Sequence, residues 1–260
     1  MDMKGKIAIV TGAYGGIGQA VAQRLAGRGA SVVCADLKGA EETVKGIKTQ
    51  GGNAVSKKLD VSIPADWKKM MSEVNKEFGG VDYLVAVAGI VNRISADTIL
   101  DLTEEAWDTV LNVDAKGVWL GMQAVIPSML ERGSGRIVNI SSLAASKGLQ
   151  GLASYSAAKG AVEALTRQAA VEYGRQGILI NCVAPGTIET TINKATLETE
   201  EGAKNSSGTT AIGRWGQPDE IGSIIEYLLQ DGSFVAGQVF HVDGGWSITG
   251  GVEYGDSREM

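Results

Sequence analysis

The chain has 260 residues, of which 44% are hydrophobic and 21% charged, and it carries a formal net charge of −6. This composition excludes a disordered or fibrous protein, and the acidic balance excludes a basic surface that would attract nucleic acid or an anionic membrane. The first apolar run is too short for a signal peptide, and no run approaches the length of a membrane span. We therefore predict a cytoplasmic protein without nucleic-acid or membrane partners.

Short β-branched runs alternate along the chain with longer segments of helical period. The predicted strands span 6–11, 31–36, 53–60, 82–89, 135–142, 178–185 and 237–245. Apolar residues at spacings of three and four predict helices within 16–29, 64–79, 103–133, 153–177 and 217–233. Nearly continuous apolar strands separated by helices are typical of a parallel sheet that is buried on both faces. We predict an α/β fold: one doubly wound domain over residues 1–260, with about seven parallel strands and helices on both faces.

The stretch 186–217 is the least regular part of the sequence, and it is polar and rich in threonine. An irregular connection of this length in a compact domain is usually a lid or a binding loop, so we predict a substrate lid here. Cys34 and Cys182 both lie in apolar runs, which favours packed thiols in the core over a disulfide.

Glycines crowd the turn between the first strand and the first helix, at positions 12, 15, 16 and 18. Such a turn lets the backbone approach a pyrophosphate at the helix N-terminus. Asp36 closes the next strand, where its carboxylate can bind the adenosine ribose. A carboxylate about 4 Å from a 2′-phosphate is unfavourable by roughly 4 kcal/mol at an effective dielectric of 20, so NAD is favoured over NADP. Lys38, two residues further on, is the cation best placed to weaken this preference.

Six motifs together resemble the short-chain dehydrogenase/reductase family: "TGAYGGIG", "NVDAKG", "NISS", "YSAAK", "APGTIET" and "VDGG". The resemblance covers essentially the whole chain and implies a Rossmann-like fold and an NAD-dependent alcohol dehydrogenase. The glycine turn fits both TGxxxGxG, typical of the family's dehydrogenases of this length, and TGxxGxxG of its longer epimerase relatives. Length and the terminal "VDGG" favour the dehydrogenases. The three residues between Tyr155 and Lys159 exclude the enoyl-reductase-like variant, which has six.

Tyr155 and Lys159 stand one helical turn apart in a chain whose only histidine is His241. A phenol ionises near pH 10, and a fixed ammonium nearby favours the phenolate, so the pair can form a general base without histidine. By resemblance, Ser142 is the catalytic serine that binds the substrate oxygen. Ser141 is the adjacent alternative, but neighbours on a strand face opposite ways, so only one can address the pocket. Asn112 matches the family asparagine that holds a water relay to the lysine.

The resemblance also implies which residues bind the dinucleotide. Lys159 would contact the nicotinamide ribose, Asp60 and Val61 the adenine, and Ile188 and Thr190 the carboxamide. The complete predicted cofactor set is Gly12, Tyr14, Gly15, Gly16, Ile17, Gly18, Asp36, Leu37, Asp60, Val61, Ala88, Gly89, Tyr155, Lys159, Pro185, Gly186, Ile188 and Thr190. No metal site is predicted.

One departure from the family pattern affects the predicted function. The family usually carries Asn-Asn-Ala-Gly after the fourth strand, whereas this chain reads "AVAG" at 86–89. Either Ala86 and Val87 pack without those amides, or the chain binds dinucleotide without catalysis as a regulatory protein. A third alternative, suggested by the glycine turn, is an epimerase that retains its NAD.

The substrate is predicted only as a small or medium secondary alcohol or its ketone. Arg93 and Lys147 are candidates for holding an anionic group. The predicted cavity is partly apolar, with a lining of Leu143, Leu149, Leu152, Ile192 and Trp215. The family resemblance further implies a homotetramer, or a homodimer, with the helices at 103–131 and 153–175 packed across a two-fold axis.

Overall fold

The fold is a seven-stranded parallel sheet with helices on both faces. The structure, a computed structural model, describes residues 2–190, 193, 198–199 and 208–249. The strands are β1 (Ile7–Thr11), β2 (Ser31–Asp36), β3 (Asn53–Lys58), β4 (Tyr83–Ala86), β5 (Gly135–Ile140), β6 (Ile178–Pro185) and β7 (Val239–Val242). Their order is β3-β2-β1-β4-β5-β6-β7, and each neighbouring pair is parallel. The predicted α/β, doubly wound architecture is confirmed.

Three of the helices begin at a start signal in the local sequence. The helices are α1 (Gly16–Gly27), α2 (Glu41–Thr49), α3 (Pro64–Phe78), α4 (Glu104–Leu111), α5 (Gly117–Glu131), α6 (Ala153–Tyr173) and α7 (Pro218–Gln230). Pro64 and Pro218 open α3 and α7, where a missing N–H costs nothing. The Thr103 hydroxyl caps α4 by accepting from the Ala106 N–H at 3.3 Å. A π-helical segment, Asn112–Lys116, joins α4 to α5.

Alternate strand residues supply the two halves of the core. Ile7 and Ile9 of β1 belong to a cluster with apolar residues of α3, α5 and α6. Ala8 and Val10 belong to a second cluster with residues of α1, α2 and α7. Because successive strand side chains point to opposite faces, one apolar run serves both layers. The helices therefore cover both faces of the sheet. The loops at the carboxyl ends of the strands remain to form a site.

Several elements differ from the sequence expectations. Strands β3, β5 and β7 are shorter than predicted, and the predicted helix within 103–133 is divided into α4, the π-helical segment and α5. Helix α2 was not predicted: it has nine residues, and only Thr43, Val44 and Ile47 are buried. Strand β4 ends at Ala86 rather than at 89, because the Val87 and Ala88 N–H groups both donate to the Thr11 hydroxyl at 3.1 Å. The chain thus leaves the sheet where it reaches the site.

Two further expectations can be set against the described residues. Within them, no helix is long and apolar enough to cross a membrane. Of the predicted lid 186–217, residues 186–190, 193, 198–199 and 208–217 are described, and the rest lies outside the described residues. The lid therefore stays a prediction. Burial raises the pKa of Cys34 and Cys182 to about 12, and both are unpaired thiols in the core, as predicted.

Candidate active site

A cavity of about 620 Å³ lies at the carboxyl ends of the strands. The chain runs from β1 outward to β3 and then returns to β4 on the other side of β1. Loops after β1 and β4 therefore diverge and leave a crevice, which is where doubly wound folds bind ligands. The cavity continues along the ends of β5 and β6 to Trp246, which follows β7.

The glycine turn has the geometry of a phosphate cradle. Gly12 and Gly16 have φ angles of +68° and +55°, which residues with a side chain rarely adopt. A Cβ at Gly12 would lie 2.9 Å from the Ala88 nitrogen, and one at Gly18 would overlap the Gly12 backbone. Gly15 caps α1 without any side-chain hydrogen bond to its first turn. The first N–H groups of α1 thus face the cavity and suit a pyrophosphate.

Asp36 lies at the end of β2 beside this turn. Its carboxylate accepts hydrogen bonds from the Tyr14 N–H at 3.2 Å and from the Lys38 N–H at 3.0 Å. These two bonds fix the carboxylate at the cavity wall, where a ribose diol could donate to it. The Lys38 ammonium lies 5.5 Å from the centre of the Tyr14 ring.

Every residue of the predicted cofactor set lines this one cavity. The set comes from separate loops after β1, β2, β3, β4 and β6 and from the start of α6, so the fold brings together residues that are far apart in sequence. The residues present fit a nicotinamide dinucleotide: a glycine cradle, a fixed carboxylate and an apolar floor.

Tyr155 and Lys159 lie on the first turns of α6 and face the cavity. The Lys159 ammonium is 5.4 Å from the centre of the Tyr155 ring. It donates to the Ile140 carbonyl at 3.1 Å, which ties the lysine to the end of β5. Lys159 is only 2% exposed, so its charge is screened little by water.

Ser142 and Ser141 face different partners. The Ser141 hydroxyl lies 3.1 Å from both the Lys159 carbonyl and a Glu163 carboxylate oxygen, so it links β5 to α6. The Ser142 hydroxyl accepts from the Ala144 N–H at 3.2 Å and lines the cavity near Tyr155. Both serines line the cavity, but the Ser141 hydroxyl is bonded to groups of α6, so Ser142 remains the predicted partner of the substrate oxygen.

Asn112 is the one predicted catalytic residue that the structure does not bring to the cavity. It is exposed on the π-helical segment, and the side chain from this segment that reaches Lys159 is Asp114. The Asp114 Oδ2 atom lies 3.1 Å from the Lys159 nitrogen, and both side chains are almost fully buried. A carboxylate therefore stands where the resemblance implied an amide. Asp114 lies four residues from both Val110 and Val118, and this buried-face spacing was the missed signal.

The charges of Asp114 and Lys159 support each other against burial. Burial is the largest single effect on the pKa of Lys159 and lowers it, but the attractions of Asp114, Tyr155 and Cys182 together outweigh burial, and the net pKa is raised. Burial raises the pKa of Asp114, against the pull of Lys159 and a hydrogen bond from the Ile90 N–H. The 3.1 Å distance between the Asp114 carboxylate and the Lys159 ammonium is that of an ion pair.

Asp97 is a second residue that sequence reasoning missed. It is 8% exposed and accepts from the Ser154 N–H at 2.8 Å and from the Ser154 hydroxyl at 2.9 Å. These bonds anchor the first turn of α6 and so position Tyr155, the next residue. No motif marked this aspartate, because its partner is 57 residues away.

The "AVAG" segment packs without polar side chains. Ala86 is 4% exposed and belongs to the core, and Val87 packs against the cluster on the other face. Thr11 supplies the hydrogen bonds that hold the Val87 and Ala88 backbone. This packing matches the first interpretation, in which Ala86 and Val87 pack without the two amide side chains.

The substrate side of the cavity is mostly apolar. Arg93 is exposed and borders a separate, smaller cavity, and the Lys147 ammonium donates to the Trp246 carbonyl at 2.9 Å. Neither cation lines the main cavity. Ile192, another predicted lining residue, lies outside the described residues. The described lining near Tyr155 includes Leu143, Leu149, Leu152, Trp215 and Trp246.

Comparison with known proteins agrees with this geometry. A protein-family model described as enoyl-(acyl carrier protein) reductase matches residues 12–247. The cyclohexanol dehydrogenase of Acinetobacter sp. (strain SE19) is 37% identical over 93% of this chain and 95% of its own length. The cis-4-hydroxycyclohexanecarboxylate dehydrogenase of Sinomonas cyclohexanicum is 39% identical over 93% and 96%. A putative 2-deoxy-D-gluconate 3-dehydrogenase from Agrobacterium tumefaciens, solved with bound NADP, superposes with a TM-score of 0.86 at 36% identity, over 94% and 97%.

Proposed function

The chain belongs to the short-chain dehydrogenase/reductase family and is an oxidoreductase of alcohols and ketones, and we propose that it transfers hydride between a secondary alcohol and NAD. The observation that carries this proposal is the cavity that Tyr155, Lys159 and Ser142 share with the glycine turn. One wall suits a dinucleotide and the other presents a phenol, a hydroxyl and a buried ammonium.

A bound nicotinamide supplies the redox chemistry, as acceptor or donor of hydride. In oxidation, the Tyr155 phenolate takes the alcohol proton while the carbinol C–H bond breaks with its electron pair, and the C–O bond becomes C=O. In reduction, Tyr155 returns the proton to the carbonyl oxygen. Ser142 donates a hydrogen bond to that oxygen as charge develops on it. Lys159 favours the phenolate through its fixed positive charge.

The preference for NAD over NADP rests on Asp36. Its carboxylate is fixed by two backbone N–H groups at the ribose position, where a 2′-phosphate would meet a like charge. Lys38 lines the same cavity and reduces this repulsion, and the Agrobacterium neighbour was solved with NADP. We propose NAD because two backbone N–H groups hold the Asp36 carboxylate in place, whereas the Lys38 ammonium lies over the Tyr14 ring and makes no ion pair with Asp36.

The proposed substrate is an uncharged secondary alcohol of small or medium size. The cavity walls near Tyr155 are leucine and tryptophan, and the two candidate cations lie outside it. Two relatives are named for cyclohexanol and for cis-4-hydroxycyclohexanecarboxylate. Both are cyclic secondary alcohols, which fits such a wall, and cyclohexanol is the uncharged one of the two. The three residues between Tyr155 and Lys159 favour carbonyl over enoyl reduction, although the matching family model is described as an enoyl reductase.

The test follows reduced-nicotinamide absorbance with NAD and then NADP across cyclic and open-chain secondary alcohols. We expect turnover with NAD, a higher kcat/KM with cyclic alcohols, and loss of turnover in Tyr155→Phe. The Tyr155→Phe variant should still bind NADH, since the phenol oxygen alone is removed. A protein that binds NADH but oxidises no alcohol in the panel would contradict the proposal and favour a regulatory role.

We also propose a homotetramer or homodimer in which α4–α5 and α6 pack across a two-fold axis. Trp107, Trp119 and Val171 on these helices are 41%, 44% and 82% exposed, so a second copy packed on this side would bury apolar area. Light scattering of the purified protein would decide between these assemblies and a monomer.

A further inference from the structure

The ion pair between Asp114 and Lys159 is a feature that the proposed reaction does not require by itself. Asp114 is 0% exposed and its Oδ2 atom lies 3.1 Å from the lysine nitrogen. Within the part of the chain that the structure describes, the Lys159 ammonium is the only polar partner of Oδ2. A fully buried carboxylate needs a compensating positive charge, and Lys159 is the cation beside it.

The surroundings fix both members of the pair. The other Asp114 oxygen accepts from the Ile90 N–H at 2.8 Å, and Lys159 donates to the Ile140 carbonyl at 3.1 Å. A Cβ at Gly89 would lie 2.8 Å from Asp114 Oδ2 and 3.1 Å from the lysine nitrogen. The absence of a side chain at Gly89 thus leaves room for the pair beside the cavity. An ammonium has three donors, so one N–H remains for a ligand in the cavity.

We propose that Asp114 is a positioning residue that keeps Lys159 charged and directed at Tyr155 when the protein works as a base at alkaline pH. The inference rests on the proposed function and adds the residue that maintains the lysine charge. A fully buried lysine tends to lose its proton, and an ammonium that became an amine would no longer favour the phenolate. Asp114 opposes that loss through its negative charge, 3.1 Å from the lysine nitrogen.

The other titratable groups facing Lys159 do not replace Asp114. Tyr155 attracts the ammonium only as a phenolate, and Cys182 on β6 has a pKa raised to about 12, so it stays neutral. The Glu163 carboxylate lies within hydrogen-bond distance of Ser141 and 3.9 Å from Arg167, and it is not paired with Lys159. Asp114 is therefore the neighbour that can hold the lysine charge before Tyr155 ionises.

The direct test is the charge of Lys159 in Asp114→Asn. In protein labelled with ¹³C at the lysine Cε atoms, the Lys159 resonance is identified by its loss in Lys159→Arg and followed against pH. In the unmodified protein we expect Lys159 to stay charged at least as high in pH as the exposed lysines. In Asp114→Asn we expect its midpoint to fall by about one to three pH units. The asparagine amide can keep the Ile90 hydrogen bond, so the main change is the lost charge.

The second readout is the pH profile of alcohol oxidation with NAD. Above the shifted lysine midpoint, kcat of Asp114→Asn should fall by about tenfold per pH unit relative to the unmodified protein, while KM for the alcohol changes less than about threefold. A matched control is Asp82→Asn, another buried aspartate that accepts a backbone N–H and pairs with cations, at the opposite ends of the strands. Asp82→Asn should lose stability without this change in the profile.

The outcomes separate the two proposals. A Lys159 midpoint that is equal in the unmodified protein and Asp114→Asn overturns the inference, as does a pH profile that changes equally in Asp82→Asn. If Asp114→Asn does not fold, a Lys159 in the unmodified protein that titrates below the exposed lysines also overturns it. If no alcohol is oxidised, the proposed function fails, and the lysine titration still decides the role of Asp114.

Discussion

Replacement of Gly18 by alanine should destabilise the protein by about 2 kcal/mol. A Cβ at this position would lie 2.6 Å from the Gly12 carbonyl carbon and would overlap its oxygen, and both are backbone atoms that cannot rotate away. Overpacking of this kind costs about 1–3 kcal/mol, and the contact with backbone places Gly18→Ala at about 3. Alanine is a better helix former than glycine by about 1 kcal/mol, so the net loss of stability is about 2 kcal/mol.

Gly27→Ala is the matched control, at the last residue of the same helix. No atom lies within 4 Å of a Cβ built there, so this variant should be equally stable or more stable by about 0.5–1 kcal/mol. Urea unfolding at one fixed protein concentration measures both, and NADH titration should show weaker binding for Gly18→Ala alone. A Gly18→Ala protein as stable as Gly27→Ala, with unchanged NADH affinity, would refute the close approach of α1 to the glycine turn.

Three further predictions concern the cofactor, the catalytic helix and the thiols. Asp36→Ala should raise the ratio of kcat/KM with NADP to kcat/KM with NAD by at least about tenfold. The upper limit is about a thousandfold, from the Coulomb repulsion between two charges at about 4 Å. An unchanged ratio would show that Asp36 does not select the cofactor. Asp97→Ala should cost about 2–4 kcal/mol in urea unfolding and lower kcat, because Ser154 loses two bonds to a charged group; Asp97→Asn should cost less. Burial raises the pKa values of Cys34 and Cys182 to about 12, so both thiols should resist an aromatic disulfide reagent at pH 8 until the chain unfolds. The free energy of unfolding should fall as pH rises above about 8.5, because the thiols of the unfolded chain ionise there and the buried ones do not. Rapid labelling of the native protein would contradict this.

Much of the fold follows from patterns that are local in the sequence. Continuous apolar strands predict burial on both faces, and β1 shows why, since its neighbouring residues serve opposite halves of the core. Helix α2 escaped prediction because its nine residues include only two apolar side chains, Val44 and Ile47, too few to mark a helix in the sequence. The end of β4 depends on the Thr11 hydroxyl of another strand, and no local pattern records that contact.

The site shows the same division between local and distant information. Tyr155 and Lys159 are one turn apart, so a short motif marks them. Asn112 was chosen by its motif, but the π-helical segment and the buried face of α4–α5 bring Asp114 to the lysine. Asp97 reaches α6 from 57 residues away, and only the folded chain shows that contact.

The most direct measurement of the central claim uses an alcohol carrying deuterium on its carbinol carbon, such as cyclohexanol, with NAD. Mass spectrometry of the reduced cofactor should show one deuterium per molecule, and Tyr155→Phe should form little of it. Reduced cofactor without deuterium, or equal turnover by Tyr155→Phe, would contradict direct hydride transfer with Tyr155 as the base.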